Sequence, residues 1–163
     1  RYKRPLRVRV VADHDDDTVA FTDYHGIYIN ACNHITWSLP TRLLRSMSLE
    51  GFNAHECGHN LFTDNRIWNS YFSKLEKGKF YPKVPDGLDS MQKLHARDIL
   101  EAVLDETDTV PYQVIMSVAH ALQNILEDGY VDARYSYEFP GSPAKGSHSI
   151  TCASRIPCRR SVR

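Results

Sequence analysis

Several absences bound this chain before any motif is considered. No apolar run in its 163 residues approaches the ~20 that a membrane-spanning helix needs, so no membrane partner is expected. A dominant charge is also missing. Twenty basic and twenty acidic side chains cancel, leaving no overall field to draw the chain to nucleic acid. Cysteine is sparse: Cys32, Cys57, Cys152 and Cys158 contain no Cys-x-x-Cys pair and no dense disulfide framework. Cys152 and Cys158 are close enough in sequence to pair in an oxidising compartment. Nothing requires that they do, and a reducing cytoplasm is the expected location. There is no internal repeat, no initiating Met, and no signal-peptide core after Arg1-Tyr2-Lys3-Arg4-Pro5. The chain is therefore expected to be a piece of a longer protein or a processed product.

The composition present, 42% hydrophobic and 25% charged, is that of a globular domain able to bury its own core. Leu6 to Ala12 alternates apolar and basic residues, the period of a half-buried strand. The cluster Asp13-His14-Asp15-Asp16-Asp17 reads as a solvated turn in preference to a cation site. Thr18 to Thr22 and Gly26 to Ala31 are two more strands, and short connections predict an antiparallel meander. After Pro40 the period becomes helical through Leu43, Leu44, Met47, Gly51, Ala54, Gly58 and Phe62; whether Ser46–Ser48 divides this run is open. A second helix is expected over Ile67 to Leu75 and a loop from Lys79 to Gly87. A third helix should present Leu88, Met91, His95, Ile99, Ala102 and Val103 on one face, with His95 as a core histidine. The last helix should open near Pro111, with Val114, Ile115, Val118, Leu122, Ile125 and Leu126 inward. Gln113, Ser117, His120, Asn124 and Glu127 form its polar stripe. These features predict one domain over 1–139 and a polar, poorly ordered tail over 140–163.

One motif carries chemistry. His55-Glu56-Cys57-Gly58-His59 places two histidines four apart, on one face of a helix, where both imidazoles reach a single ion. Neutral imidazole is a preferred Zn²⁺ ligand, and Glu56 stands at the offset from which a carboxylate takes a proton from water beside the metal. The alternative is an ordinary amphipathic helix that happens to carry these residues. Cys57 projects elsewhere on the helix and reads as a small buried residue.

The His55-Glu-x-x-His59 pattern, followed by Asn124-Ile125-Leu126-Glu127-Asp128, resembles the gluzincin zinc peptidases. More narrowly, it is similar to the metallopeptidase-like domains of bacterial proteins that carry a von Willebrand factor A module. Those include relatives of the cobalt-chelatase accessory subunit and of the nitric-oxide-reductase activation protein. The resemblance spans roughly residues 25 to 135 and is most specific in the first motif. It implies a zincin-like α+β fold: a small antiparallel or mixed sheet, an active-site helix, and a second helix bearing the third ligand. It departs from the family in two ways. No von Willebrand module follows in this chain, and two helices must be inserted between His59 and the third ligand.

For that ligand, Glu127 and Asp128 compete. Glu127 shares the polar stripe with His120, within about 20° around the axis, and has the longer arm. Asp128 has Asp132 four residues on, an offset at which gluzincins place the carboxylate that orients a ligand histidine. Stripe position and family resemblance favour Glu127 as ligand, with Asp128 or Asp132 behind it. His120, Tyr130 and Tyr135 are weaker candidates for the cleft. What the resemblance implies is zinc-dependent peptide hydrolysis with Glu56 as general base, the strand Gly26 to Ala31 serving as the edge that pairs with substrate. The alternative is a non-catalytic zinc platform beside a chelatase or ATPase, with a von Willebrand module as partner.

Overall fold

The computed structural model of the chain describes residues 6–141. Cys152, Cys158 and the stretch expected to form a tail, beyond its first two residues, lie outside the described residues. The architecture is α+β: β1 (Arg7–Val11), β2 (Ala20–Thr22), β3 (Gly26–Asn30), α1 (His34–Ser38), α2 (Arg42–Phe62), α3 (Asn65–Leu75), α4 (Ser90–Leu104) and α5 (Thr109–Glu138). No described helix is long and apolar enough to cross a membrane. The described residues divide into two compact units, one of residues 6–63 with 126–141, the other Asp64–Ile125.

In the first unit the sheet order is β1-β3-β2, with β1 parallel and β2 antiparallel to β3. The expected meander is therefore wrong, and so is the edge role given to Gly26–Ala31, because β3 is the central strand. Asn30, fully buried at the end of β3, explains the order. Its Nδ2 donates to the carbonyls of Asp13 and Asp16, and its Oδ1 accepts from the amides of Asp13 and Cys32. This one amide satisfies the β1–β2 connection as it crosses over β3, so β2 is delivered to the far side. Within that connection the amides of Asp15 and Thr18 bond to Asp13 and Asp16, which makes the acidic cluster a set of side-chain-closed turns.

The alternation of β3 buries Ile27 and Ile29 on one face, while Tyr28 stacks on Phe21 on the other. α2 packs along β2 and β3, and Asn60 Nδ2 donates to Thr22 Oγ1 at 2.7 Å. α2 is continuous. Ser48 does not break it because its hydroxyl donates to the Arg45 carbonyl within the helix and also meets Thr36 Oγ1 at 2.9 Å. The short helix α1 was not foreseen. Asn33 caps it by accepting from the Thr36 amide, and the buried set Asn33, Thr36 and Ser48 ties it to α2.

In the second unit, Asp64 caps α3 and Asp89 closes a capping box with Gln92 at the start of α4. Gly78 ends the turn after α3 at φ 61°, where a side chain would also meet Leu104. The phase of α4 matches expectation only at its end, where Val103 is buried and Ala102 half-buried. Ala96, Leu100 and Leu104 line an apolar recess with Phe80, Val84 and Leu88, which turns Met91, His95 and Ile99 to the surface. His95 is thus exposed and not a core residue. The apolar face expected for α5 is also displaced, since Val114, Val118, Leu122, Ile125 and Leu126 are exposed.

Candidate metal centre

The site lies wholly within the first unit, where α2 meets the C-terminal part of α5. Gly58 permits that meeting: a methyl group there would stand 2.5 Å from Val131 Cγ1, and Val131 is fully buried. Each turn of α5 from Glu127 to Tyr135 then presents a residue to α2. The inward face is committed to Glu127, Asp128, Val131 and Asp132.

His55 and His59 bring their Nε2 atoms within 3.1 Å, ring centroids 4.6 Å apart at 81°. Asp128 Oδ1 lies 3.2 Å from His59 Nε2 and 3.8 Å from His55 Nε2. These three form the one group of three or more potential ligands that converge among the described residues, their donor atoms all within 4.8 Å. On the opposite side of His55, Nδ1 meets Asp132 Oδ1 at 2.8 Å. On the opposite side of His59, Nδ1 meets Thr63 Oγ1 at 3.0 Å, with Glu127 Oε1 at 3.8 Å.

The electrostatics follow from this crowding of carboxylates. Burial draws His59 down, but the Asp128 and Glu127 carboxylates and the charge of Glu56 outweigh it, and the ring is pushed up to about 9. For His55 burial is again the largest influence and lowers it, but the bond to Asp132 together with the charges of Asp132 and Glu56 outweighs burial, and the ring ends above its ordinary value. Glu56 is buried on α2, and its charge acts on both histidines. Burial raises the Cys57 thiol, which favours the protonated form and suits a residue that does not ligate.

The donor set fits a divalent cation. Asp132 accepts only, so His55 carries its proton on Nδ1 and turns the Nε2 lone pair toward His59 and Asp128. With His59 in the same tautomer, two lone pairs and a carboxylate oxygen face one point, where one divalent cation would satisfy all three. Two imidazoles and a carboxylate match zinc's preferences. Glu127, expected as the third ligand, instead faces the Nδ1 edge of His59, while Asp128 faces both Nε2 atoms. Asp132 lies 2.8 Å from His55 Nδ1, the ring edge that faces away from the other histidine.

Thr63 was missed, although its place four residues after His59 is itself a signal, since i and i+4 side chains are neighbours on a helix. Among the weaker candidates, His120 stacks on Phe72 at 3.7 Å within the second unit. Tyr135 packs over the Gly58 position, and Tyr130 is exposed beside Ala133, Arg134 and Tyr137. No protein-family model matches the chain, and no curated protein or solved structure is detectably similar to it.

Proposed function

We propose that this chain is a zinc-dependent peptidase of the gluzincin type, with a zincin-like fold, in which His55, His59 and Asp128 hold the metal. The supporting observation is the convergence of two Nε2 atoms 3.1 Å apart with one Asp128 oxygen, the far side of each ring being held by a separate partner. A zinc ion held there by His55, His59 and Asp128 would supply a Lewis acid to polarise a peptide carbonyl and acidify water. Asp132 orients His55, and Asp128 adds negative charge at a half-exposed position open to the solvent side. Glu56 takes the proton of the attacking water and delivers it to the departing amine, the general acid–base role its offset from His55 allows. The same resemblance makes a von Willebrand module or an ATPase the proposed partner.

The test combines metal analysis with one substitution. About one zinc per chain is expected in protein purified without added metal. Less than a tenth of an equivalent after reconstitution would reject the site. Glu56→Gln should retain zinc and lose hydrolysis of a peptide library, because Gln keeps the shape but accepts no proton. Stoichiometric zinc with no hydrolysis by the wild type would favour the non-catalytic platform.

A further inference from the structure

β1 is an edge strand that is left open in two ways. The first is apolar. Val8 and Val10 pair in register with Ile27 and Ile29, so all four point to the same face of the sheet. Ile27 and Ile29 are each 2% exposed, whereas Val8 is 49% and Val10 56% exposed. α2 packs along β2 and β3, and the exposure of the two valines marks where that cover stops.

The second opening is in the backbone. In a parallel ladder, alternate residues turn both their N–H and their C=O toward the same neighbour. The Ala31 amide donates to the Val11 carbonyl at 2.7 Å, which sets the phase: Val11, Arg9 and Arg7 face β3. Val8 and Val10 therefore turn their N–H and C=O groups away from the sheet. No strand lies on that side among the described residues. Such a row of outward donors and acceptors is a template for one more strand.

Charge decides what that strand must carry. Arg7 and Arg9 are exposed on the other face of β1, and neither has an ion-pair partner among the described residues. A second copy of β1 fits badly. Antiparallel pairing centred on Arg9 sets that residue against itself, and a shift to Val8 sets Arg7 against Arg9. The rest of this chain also has the wrong sign, since residues 1–5 and 142–163 contain basic residues and no acidic one.

We propose that β1 is a docking edge for an extended segment of a partner protein in which acidic and apolar residues alternate. The segment's backbone pairs with Val8 and Val10, its carboxylates lie beside Arg7 and Arg9, and its apolar side chains lie beside the two valines. Only another extended polypeptide offers donors and acceptors at the spacing of that edge. β1 contributes no residue to the candidate metal centre, so the docking edge stands or falls independently of the proposed peptidase function.

The experiment uses the full chain and a fluorescein-labelled heptapeptide of alternating glutamate and valine, with binding followed by fluorescence anisotropy. One control peptide replaces glutamate with lysine. Another keeps the glutamates but is N-methylated on alternate residues, along the edge that would face β1. Saturable binding is expected for the unmodified glutamate peptide alone, with the Val8 and Val10 amides gaining protection from hydrogen exchange. Arg7→Glu/Arg9→Glu, shown by circular dichroism to be folded, should bind that peptide about tenfold more weakly or worse and take the lysine peptide instead. Val8→Pro removes an outward N–H, a change an edge strand tolerates, and should abolish binding with both arginines in place. No binding by wild type up to about 1 mM overturns the proposal and leaves Arg7 and Arg9 as charges that keep the edge unpaired. Equal binding of the N-methylated peptide overturns it too, because attraction between charges would then explain the complex. A wild-type dimer that Val8→Pro dissociates would overturn it in favour of a second copy.

Discussion

Replacing Gly58 with Ala tests whether the metal centre depends on the close approach of α2 to α5. The added methyl would lie 2.5 Å from Val131 Cγ1, whereas ordinary carbon–carbon contact is about 3.5–4.0 Å. Relief therefore requires a shift of roughly 1 Å or more. Val131 cannot provide it by rotating, because it is β-branched, helical and fully buried. The backbone of α5 must move instead, carrying Asp128 and Asp132, which flank Val131 and lie 3.2 and 2.8 Å from the histidines. Two effects on stability oppose each other. Overpacking costs about 1–3 kcal/mol, while exchanging Gly for Ala in a helix interior gains about 1 kcal/mol. The net loss should be modest, between about 0 and 2 kcal/mol, and visible as a lower urea midpoint. The metal site should suffer more, because tolerance for ligand placement is on the order of 0.5 Å. Zinc affinity is expected to fall about 10–100-fold. The double variant Gly58→Ala/Val131→Ala removes the clash and should recover much of that affinity, despite losing core volume. Wild-type zinc affinity in Gly58→Ala, or no recovery in the double variant, would refute the reasoning.

Metal-free protein should lose stability as pH rises. The folded His59 value of about 9 exceeds its ordinary 6.5, so its contribution is fully present below pH 6.5 and disappears as pH passes through about 9. That contribution is on the order of 3 kcal/mol, and urea titrations in chelator at pH 6, 8 and 10 should show a falling midpoint; a constant or rising one contradicts the assignment. Asp132→Asn should weaken zinc binding about 10–100-fold, because an amide no longer fixes the tautomer of His55. Chelator competition measures this, and unchanged affinity would remove Asp132 from the site. Asn30→Asp, nearly isosteric, should destabilise by about 2 kcal/mol or more, since a carboxylate cannot donate to the Asp13 and Asp16 carbonyls. A urea midpoint equal to wild type would show that the β1–β2 connection does not depend on that amide.

Local information and tertiary information divide clearly in this chain. The sequence alone determined the order of strands before helices, the helix that carries His55 and His59, and the breaks at Asp64 and Gly78. Each is set by periodicity, capping or backbone freedom within a few residues. It did not determine the sheet order, because the deciding contacts of Asn30 are with Asp13 and Asp16, more than ten residues away. Nor did it determine the facing of α4 and α5. A hydrophobic stripe predicts the buried side only where burial of apolar area dominates, and within the first unit the residues α5 turns toward α2 include the carboxylates of Asp128 and Asp132. Both Glu127 and Asp128 were visible as candidates, about 100° apart on one helix. Which of them meets the Nε2 atoms depends on how α5 is rotated against α2, and that rotation is set by Val131 seated on the bare face of Gly58. The motif suggested the proposed chemistry, since its two histidines lie one turn apart; the proposed third ligand comes from a distant helix, and only packing could choose it.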